Sequence, residues 1–330
     1  MIETLNAAAA ALCERLHDEK ERLSIEHHRV AGASVWDFGV VAAGSLDAGL
    51  WLATICMSDA AEVSLGMVAD PSASGGSAVS VQVQSRHPLQ ACLASQYAGW
   101  PVSVEKDESK NQPGFFAMGS GPMRMARGKE SMLEHLNLLH RGEQVVGVLE
   151  CESLPDAAVV QEVADNCGVP PDAVTLCVAP VFSVAGNTQV IARSLETAMH
   201  KLHELQFDVR CIHSGSGTAP LPASAAPGDT MDGIGRTNDA ILYGGQVKLQ
   251  VDADQNAIDQ VLPLVPSCSS SDHGKPFAQI FKDAKYDFYA IDPGLFSPAM
   301  LTIENLRTGE SKTAGKMMPE VLDQSFAKAK

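Results

Sequence analysis

The 330-residue chain has no run of about 18 apolar residues, so nothing in it reads as a membrane-crossing helix. Residues 1–23 are alanine-rich but carry Glu14, Arg15, Asp18, Glu19 and Lys20. That interruption reads as an amphipathic helix, neither a signal peptide nor an anchor. No Cys-x-x-Cys occurs among Cys13, Cys56, Cys92, Cys151, Cys167, Cys177, Cys211 and Cys268. Scattered cysteines within apolar segments point to buried, reduced thiols and a cytoplasmic protein. Basic residues are scarce, 24 against 40 acids, for a net charge of −16. Such a field repels phosphate backbones and argues against a nucleic-acid partner. Only 19% of residues are charged, and twelve methionines join the eight cysteines. Hyperthermophilic proteins favour dense Glu/Lys surfaces and few oxidisable residues, so a mesophilic source is expected.

Several chemistries also lack their parts. His17-Asp18-Glu19 has no Pro-Cys-x-x-Cys after it, so a zinc deaminase site is incomplete. His200 and His203 have no evident third ligand, and no metal is expected. Gly309 to Lys316 has five residues between its glycines, and Met317 stands where a P-loop needs Ser or Thr. Gly119-Ser120-Gly121 and Gly215-Ser216-Gly217 both want the third glycine of a dinucleotide fingerprint.

What is present is an ordinary globular composition, 45% hydrophobic, at a length that suggests about two domains. Strand-like stretches at 79–83, 102–105, 145–149 and 175–181 alternate with helix-like ones at 87–98, 157–167 and 188–205. Gly168 is placed to end the second of these. Downstream, 241–251 and 300–306 read as strands, with 307–310 as a hairpin turn into 311–314. Residues 70–77 and 220–232 are rich in Gly, Ser, Ala and Pro and read as irregular crossings. The expected fold is mixed α/β: two lobes with mixed or antiparallel sheets and a cleft between them. Residues 1–84 plus 206–330 are expected to form one lobe, with 85–205 inserted as the other.

The 188–205 helix carries Ile191, Leu195, Ala198, Leu202 and Leu205 three and four residues apart, which draws an apolar stripe for a core. Arg193 and Glu196 lie on the opposite side, where spacing alone indicates a solvated ion pair. The segment Gly235-Arg236-Thr237-Asn238-Asp239 sets polar side chains after a glycine and runs into the apolar 240–243. It reads as a ligand-binding loop feeding a strand, or as a surface turn.

This segment, with Phe116-Ala117-Met118-Gly119-Ser120-Gly121-Pro122, Ser216-Gly217-Thr218-Ala219-Pro220, Gly274-Lys275-Pro276-Phe277 and Tyr286-Asp287-Phe288-Tyr289-Ala290-Ile291-Asp292-Pro293, resembles the methenyltetrahydromethanopterin cyclohydrolases, in order and spacing, over nearly the whole chain. The resemblance implies reversible hydrolysis of a cyclic amidinium to the 5-formyl pterin, with no metal and no cofactor beyond the coenzyme itself. It implies that Arg193 and Glu196 match the family's Arg-x-x-Glu pair, with Glu196 as general base and Arg193 holding it ionised and oriented. Gly119, Ser120, Gly121, Pro122, Gly217, Thr218, Ala219, Arg236, Thr237, Asn238 and Asp239 are expected to line the pterin pocket. Arg124 and Lys129 are candidates for an anionic coenzyme tail. Tyr97 stands before Ala98-Gly99-Trp100 where archaeal relatives carry lysine, which fits a shorter or less anionic tail. A homotrimer and a role in bacterial formaldehyde oxidation are implied as well. A catalytically silent pterin-binding protein, or a formyl-transferring enzyme on the same coenzyme, would share the pocket.

Overall fold

The computed structural model describes residues 4–69, 77–106 and 114–327. Except for Ser77, the expected crossing at 70–77 lies outside these described residues. The chain runs α1 (Leu5–Leu23), β1 (Glu26–Val30), β2 (Ala33–Asp37), α2 (Leu46–Cys56), β3 (Glu62–Ala69) and β4 (Ser77–Ser85). After a π-helical stretch at Leu89–Gln96 come β5 (Trp100–Val104), β6 (Phe115–Ser120), α3 (Met123–Arg127), α4 (Ser131–His135), β7 (Val145–Glu150), α5 (Ala157–Cys167) and β8 (Val174–Val178). Then follow α6 (Val184–Ile191), α7 (Ser194–Glu204), β9 (Ile212–Pro220), α8 (Thr230–Gly244), β10 (Gln246–Val251), α9 (Gln255–Val261), α10 (Phe277–Asp283), β11 (Met300–Asn305), β12 (Ser311–Gly315) and α11 (Pro319–Phe326). Residues 1–60 with 93–189 make one compact unit, and 61–92 with 190–330 make a second.

The first unit is built on a six-stranded sheet in the order β1-β2-β8-β7-β6-β5. Its centre, β2-β8-β7, is parallel, while β1, β6 and β5 add antiparallel edges. Parallel strands are buried on both faces, and Val145 to Leu149 are accordingly buried without alternation. Val146, Val148 and Cys177 pack with Leu12, Leu16, Leu52 and Ile55 of α1 and α2. Val145, Leu149, Leu176 and Val178 pack with Met123, Val159, Val160 and Val163 of α3 and α5. Two residues bound α5, and the second of them, Gly168, was expected from sequence. The Asp156 side chain accepts the N–H groups of Ala158 and Val159 to start α5. Gly168, at φ 71°, stops it.

The second unit is built on β12-β11-β10-β9-β4-β3, antiparallel except for β10 beside β11. Along β9 and β10, Gly215, Gly217, Ala219, Val247, Leu249 and Val251 are buried, while Ser214, Ser216, Thr218, Gln246, Lys248 and Gln250 are partly or fully exposed. This period-2 pattern is that of a sheet covered on one face. The covering elements include α7 and α8, both in contact with β9. Behind α8, Leu242, Tyr243, Phe277, Ile280, Phe281, Val321 and Leu322 join α8, α10 and α11 in a second core.

Two expected elements differ. The strand assigned to 241–251 is confined to Gln246–Val251, because α8 continues through Gly244. Gly235 and its polar neighbours therefore lie inside a helix and not in a loop. Asp229 caps it by accepting the Asp232 N–H at 3.0 Å. Thr237 and Asn238 donate back to the carbonyls of Gly233 and Ile234 at 2.8 and 2.9 Å, so residues that often break helices are satisfied within this one. The helix assigned to 188–205 is two: α6 ends at Ile191, and Arg193, at φ −80° and ψ 2°, is the residue flanking α7.

Candidate active site

The break between α6 and α7 sets the two charged residues of the Arg-x-x-Glu segment. Arg193 flanks α7 and Glu196 falls in its first turn, where the helix dipole favours a negative charge. The expectation of a solvated pair fails: Arg193 is 7% exposed and Glu196 4%. Of the expected stripe, Ile191 at the end of α6 and Leu195, Ala198 and Leu202 of α7 are fully buried, while Leu205, just past α7, is partly buried. Charged side chains are almost never this buried unless paired or functional. A carboxylate taken out of bulk water makes stronger electrostatic interactions than an exposed one.

Cys92 lies close to this carboxylate. Burial pushes its thiol well above the usual range, and the Glu196 charge adds to the effect, so Cys92 stays a neutral thiol. Ser194 is also fully buried, and its Oγ has no hydrogen-bond partner among the described residues. The sequence reading singled out neither residue. Ser194 was legible only as the unnamed position between Arg193 and Leu195, and nothing in the local pattern marks Cys92.

In the same unit, Gly217 lies on β9 directly under the start of α7: a Cβ there would sit 2.5 Å from Ser194 Oγ and 2.8 Å from Leu195 N. Ala219 points to the same buried side, and Thr218 to the opposite, partly exposed side. On α8, Arg236 is paired with Asp232 at 2.7 Å and donates to the Ala223 carbonyl at 3.4 Å. Thr237 is 1% exposed, Asn238 is half-buried, and Asp239 is fully buried. The Asp239 Oδ1 accepts the Phe277 N–H at 2.8 Å. Burial pushes its carboxyl up to about 7, against the opposing influence of Ser325 and of the Phe277 N–H.

Gly119, Ser120, Gly121 and Pro122 belong to the first unit. Ser120 is fully buried, with its Oγ 3.3 Å from Cys56 Sγ. The Gly121 N–H donates to the Ser95 carbonyl at 2.8 Å, and the Pro122 carbonyl accepts from Asn6 Nδ2 at 3.1 Å. Arg124 is fully buried; it pairs with Glu130 and donates to the carbonyls of Leu93 and Ser95 at 3.2 and 3.1 Å. Its guanidinium also lies over the Tyr97 ring, 5.0 Å from the centroid. Arg124 is thereby committed to its own unit, and Lys129 donates to Asn166 Oδ1 at 2.6 Å. Among the described residues, no group of three or more His, Cys, Asp or Glu side chains is placed to hold a metal ion. None of their helices is long and apolar enough to cross a membrane.

Comparison with known proteins gives these positions a context. Residues 4–326 match the family described as cyclohydrolase (MCH). The chain is 51% identical over 300 residues to the methenyltetrahydromethanopterin cyclohydrolase of Rhodopirellula baltica, covering 90% of this chain and 87% of that protein. It is 44% identical to the enzyme of that name from a Methylobacterium species and 37% identical to that from Methanosarcina barkeri, covering 98% of each chain in both cases. With a match that spans both units, this chain belongs to the MCH cyclohydrolase family.

Proposed function

We propose that this protein hydrolyses 5,10-methenyltetrahydromethanopterin, or a variant of it with a different tail, to the 5-formyl pterin. The observation that carries the reading is the buried Arg193 and Glu196 at the head of α7, in a chain whose relatives in bacteria and archaea are enzymes of that name. The bridging carbon lies between two nitrogens in a cationic amidinium and is already electrophilic. Water therefore needs positioning and a base, without a nucleophilic side chain. Glu196 takes a proton from water as its oxygen bonds to the bridging carbon. The resulting carbinol collapses: its O–H proton leaves, the formyl C=O forms on N5, and the bond from carbon to N10 breaks. N10 takes up the proton held by Glu196, and the balance is one water consumed and one proton released. Arg193 orients Glu196 and the attacking water. General-base assistance of about 10²–10⁴-fold corresponds to about 3–5 kcal/mol of barrier.

No metal or further cofactor enters this scheme. A cytoplasmic homotrimer acting in formaldehyde oxidation is part of the same proposal, on family resemblance. The test is to mix purified protein with the methenyl pterin and follow the amidinium absorbance with no acceptor present. Catalytic loss of the chromophore is expected, and Glu196→Gln should lower kcat by about 10²–10⁴-fold at unchanged melting temperature. Binding without turnover, dependence on a second substrate, or a fully active Glu196→Gln protein would overturn the proposal.

A further inference from the structure

We infer that Gly217 is a positioning residue for the Arg193/Glu196 turn, acting through Ser194 and Leu195 and not through contact with the pterin. The inference rests on the proposed role of that pair and reassigns a glycine that the sequence reading placed against the ligand.

The steric argument turns on which atoms would have to move. A Cβ on residue 217 would meet Ser194 Oγ at 2.5 Å, Leu195 N at 2.8 Å and Leu195 Cα at 3.2 Å. Two of these three atoms are backbone, which has no rotamer to change. Nor can β9 retreat. Gly217 is paired with Val247 of β10 and Val83 of β4, which hold the strand from both sides. The displacement must pass into the first turn of α7, the turn that carries Arg193 and Glu196.

Gly215, two residues earlier on the same face, is an internal control. A Cβ there would meet Leu195 Cδ1 at 2.7 Å and Leu249 Cδ2 at 2.8 Å, both ends of flexible side chains that can shift without moving the helix backbone. Ser194 supplies a second handle, because its buried Oγ makes no hydrogen bond among the described residues that truncation would lose. Removing it relieves the shortest of the three contacts and leaves the one to Leu195 N.

The experiment compares Gly217→Ala, Gly215→Ala, Ser194→Ala and the Ser194→Ala/Gly217→Ala pair in steady-state hydrolysis and in amide hydrogen exchange. A displacement of about 1 Å at a reacting group costs about 10²-fold. Gly217→Ala is therefore expected to lower kcat by about 10- to 100-fold with KM within about twofold. Exchange should accelerate at residues 193–197. Gly215→Ala and Ser194→Ala should keep kcat within about threefold, and the double variant should recover part of the Gly217→Ala loss. A rise in KM alone would make Gly217 a ligand contact and overturn the inference. Equal kcat losses in the two glycine variants, tracking their melting temperatures, would overturn it as well. If the wild-type protein does not turn over the pterin, the proposed function fails. The exchange pattern then decides the positioning claim by itself, and unchanged protection at 193–197 in Gly217→Ala refutes it.

Discussion

Replacing Asp239 by Asn should make this protein more stable, and increasingly so as the pH rises. Asp239 sits on α8 with no exposed surface. Its Oδ1 accepts the first N–H of α10, from Phe277, at 2.8 Å. Ser325 also hydrogen-bonds the carboxyl, but burial outweighs both contacts. Burial moves the carboxyl from 3.8 to about 7, so the folded state holds a proton that the unfolded chain releases. The sign follows from linkage. Below about pH 4 both states are protonated and the group is silent; from there to about 7 only the unfolded chain ionises, and each pH unit removes about 1.4 kcal/mol of stability. Above 7 the full penalty is present, with a ceiling of about 4 kcal/mol for a shift of roughly three units. An asparagine keeps an oxygen for the Phe277 N–H and can never ionise. Urea unfolding from pH 4 to pH 9 should show the two proteins nearly equal at pH 4, with the variant about 2–4 kcal/mol more stable at pH 8. A difference independent of pH, or a variant less stable at pH 8, would refute the assignment of a neutral, buried acid.

Other substitutions test other parts of the structure. Arg193→Lys keeps the charge but loses the planar fork, and should lower kcat by at least about tenfold with little change in melting temperature. Arg124→Ala leaves Glu130 partly buried without its partner and should cost about 3–5 kcal/mol in denaturant unfolding. The surface pair Arg307–Asp252 has both side chains about half exposed. Arg307→Ala should therefore change stability by no more than about 0.5–1 kcal/mol and be insensitive above moderate salt.

Much of the fold was legible because its signals are local. The amphipathic α1, the Gly168 end of α5, the β7 strand and the β11–β12 hairpin each follow from side chains within one element. Helix α8 was misread for a physical reason. Gly235, Thr237, Asn238 and Asp239 carry weak or unfavourable helix propensity one by one, and what overrides it is tertiary. Ala278 would lie 3.1 Å from a Cβ on Gly235, Asp239 holds the start of α10, and the apolar residues of α8 pack with those of α10 and α11. No window of eleven residues contains that information.

The Arg193/Glu196 pair exposes a different limit. A helical period reports which side of α7 is apolar, and it was right about Leu195, Ala198 and Leu202. It then assigns water to the far side by default. That step assumes a helix at the surface with one neighbour, and burial of Arg193 and Glu196 to 7% and 4% exposure removes the assumption. Two charged residues on the polar side of a helix look the same in sequence whether the medium beyond them is water or protein. Their energetic meaning differs by several kcal/mol between these cases. Family resemblance reads the same Arg-x-x-Glu spacing as a working pair, a reading that periodicity by itself does not offer. Gly217 is the converse: resemblance places it against the ligand, and the mechanical role proposed for it comes from its close approach to Ser194 and Leu195. Sequence identifies a reaction more readily than it identifies the atoms that hold the reacting groups in place, since those atoms act through contacts between elements distant in the chain.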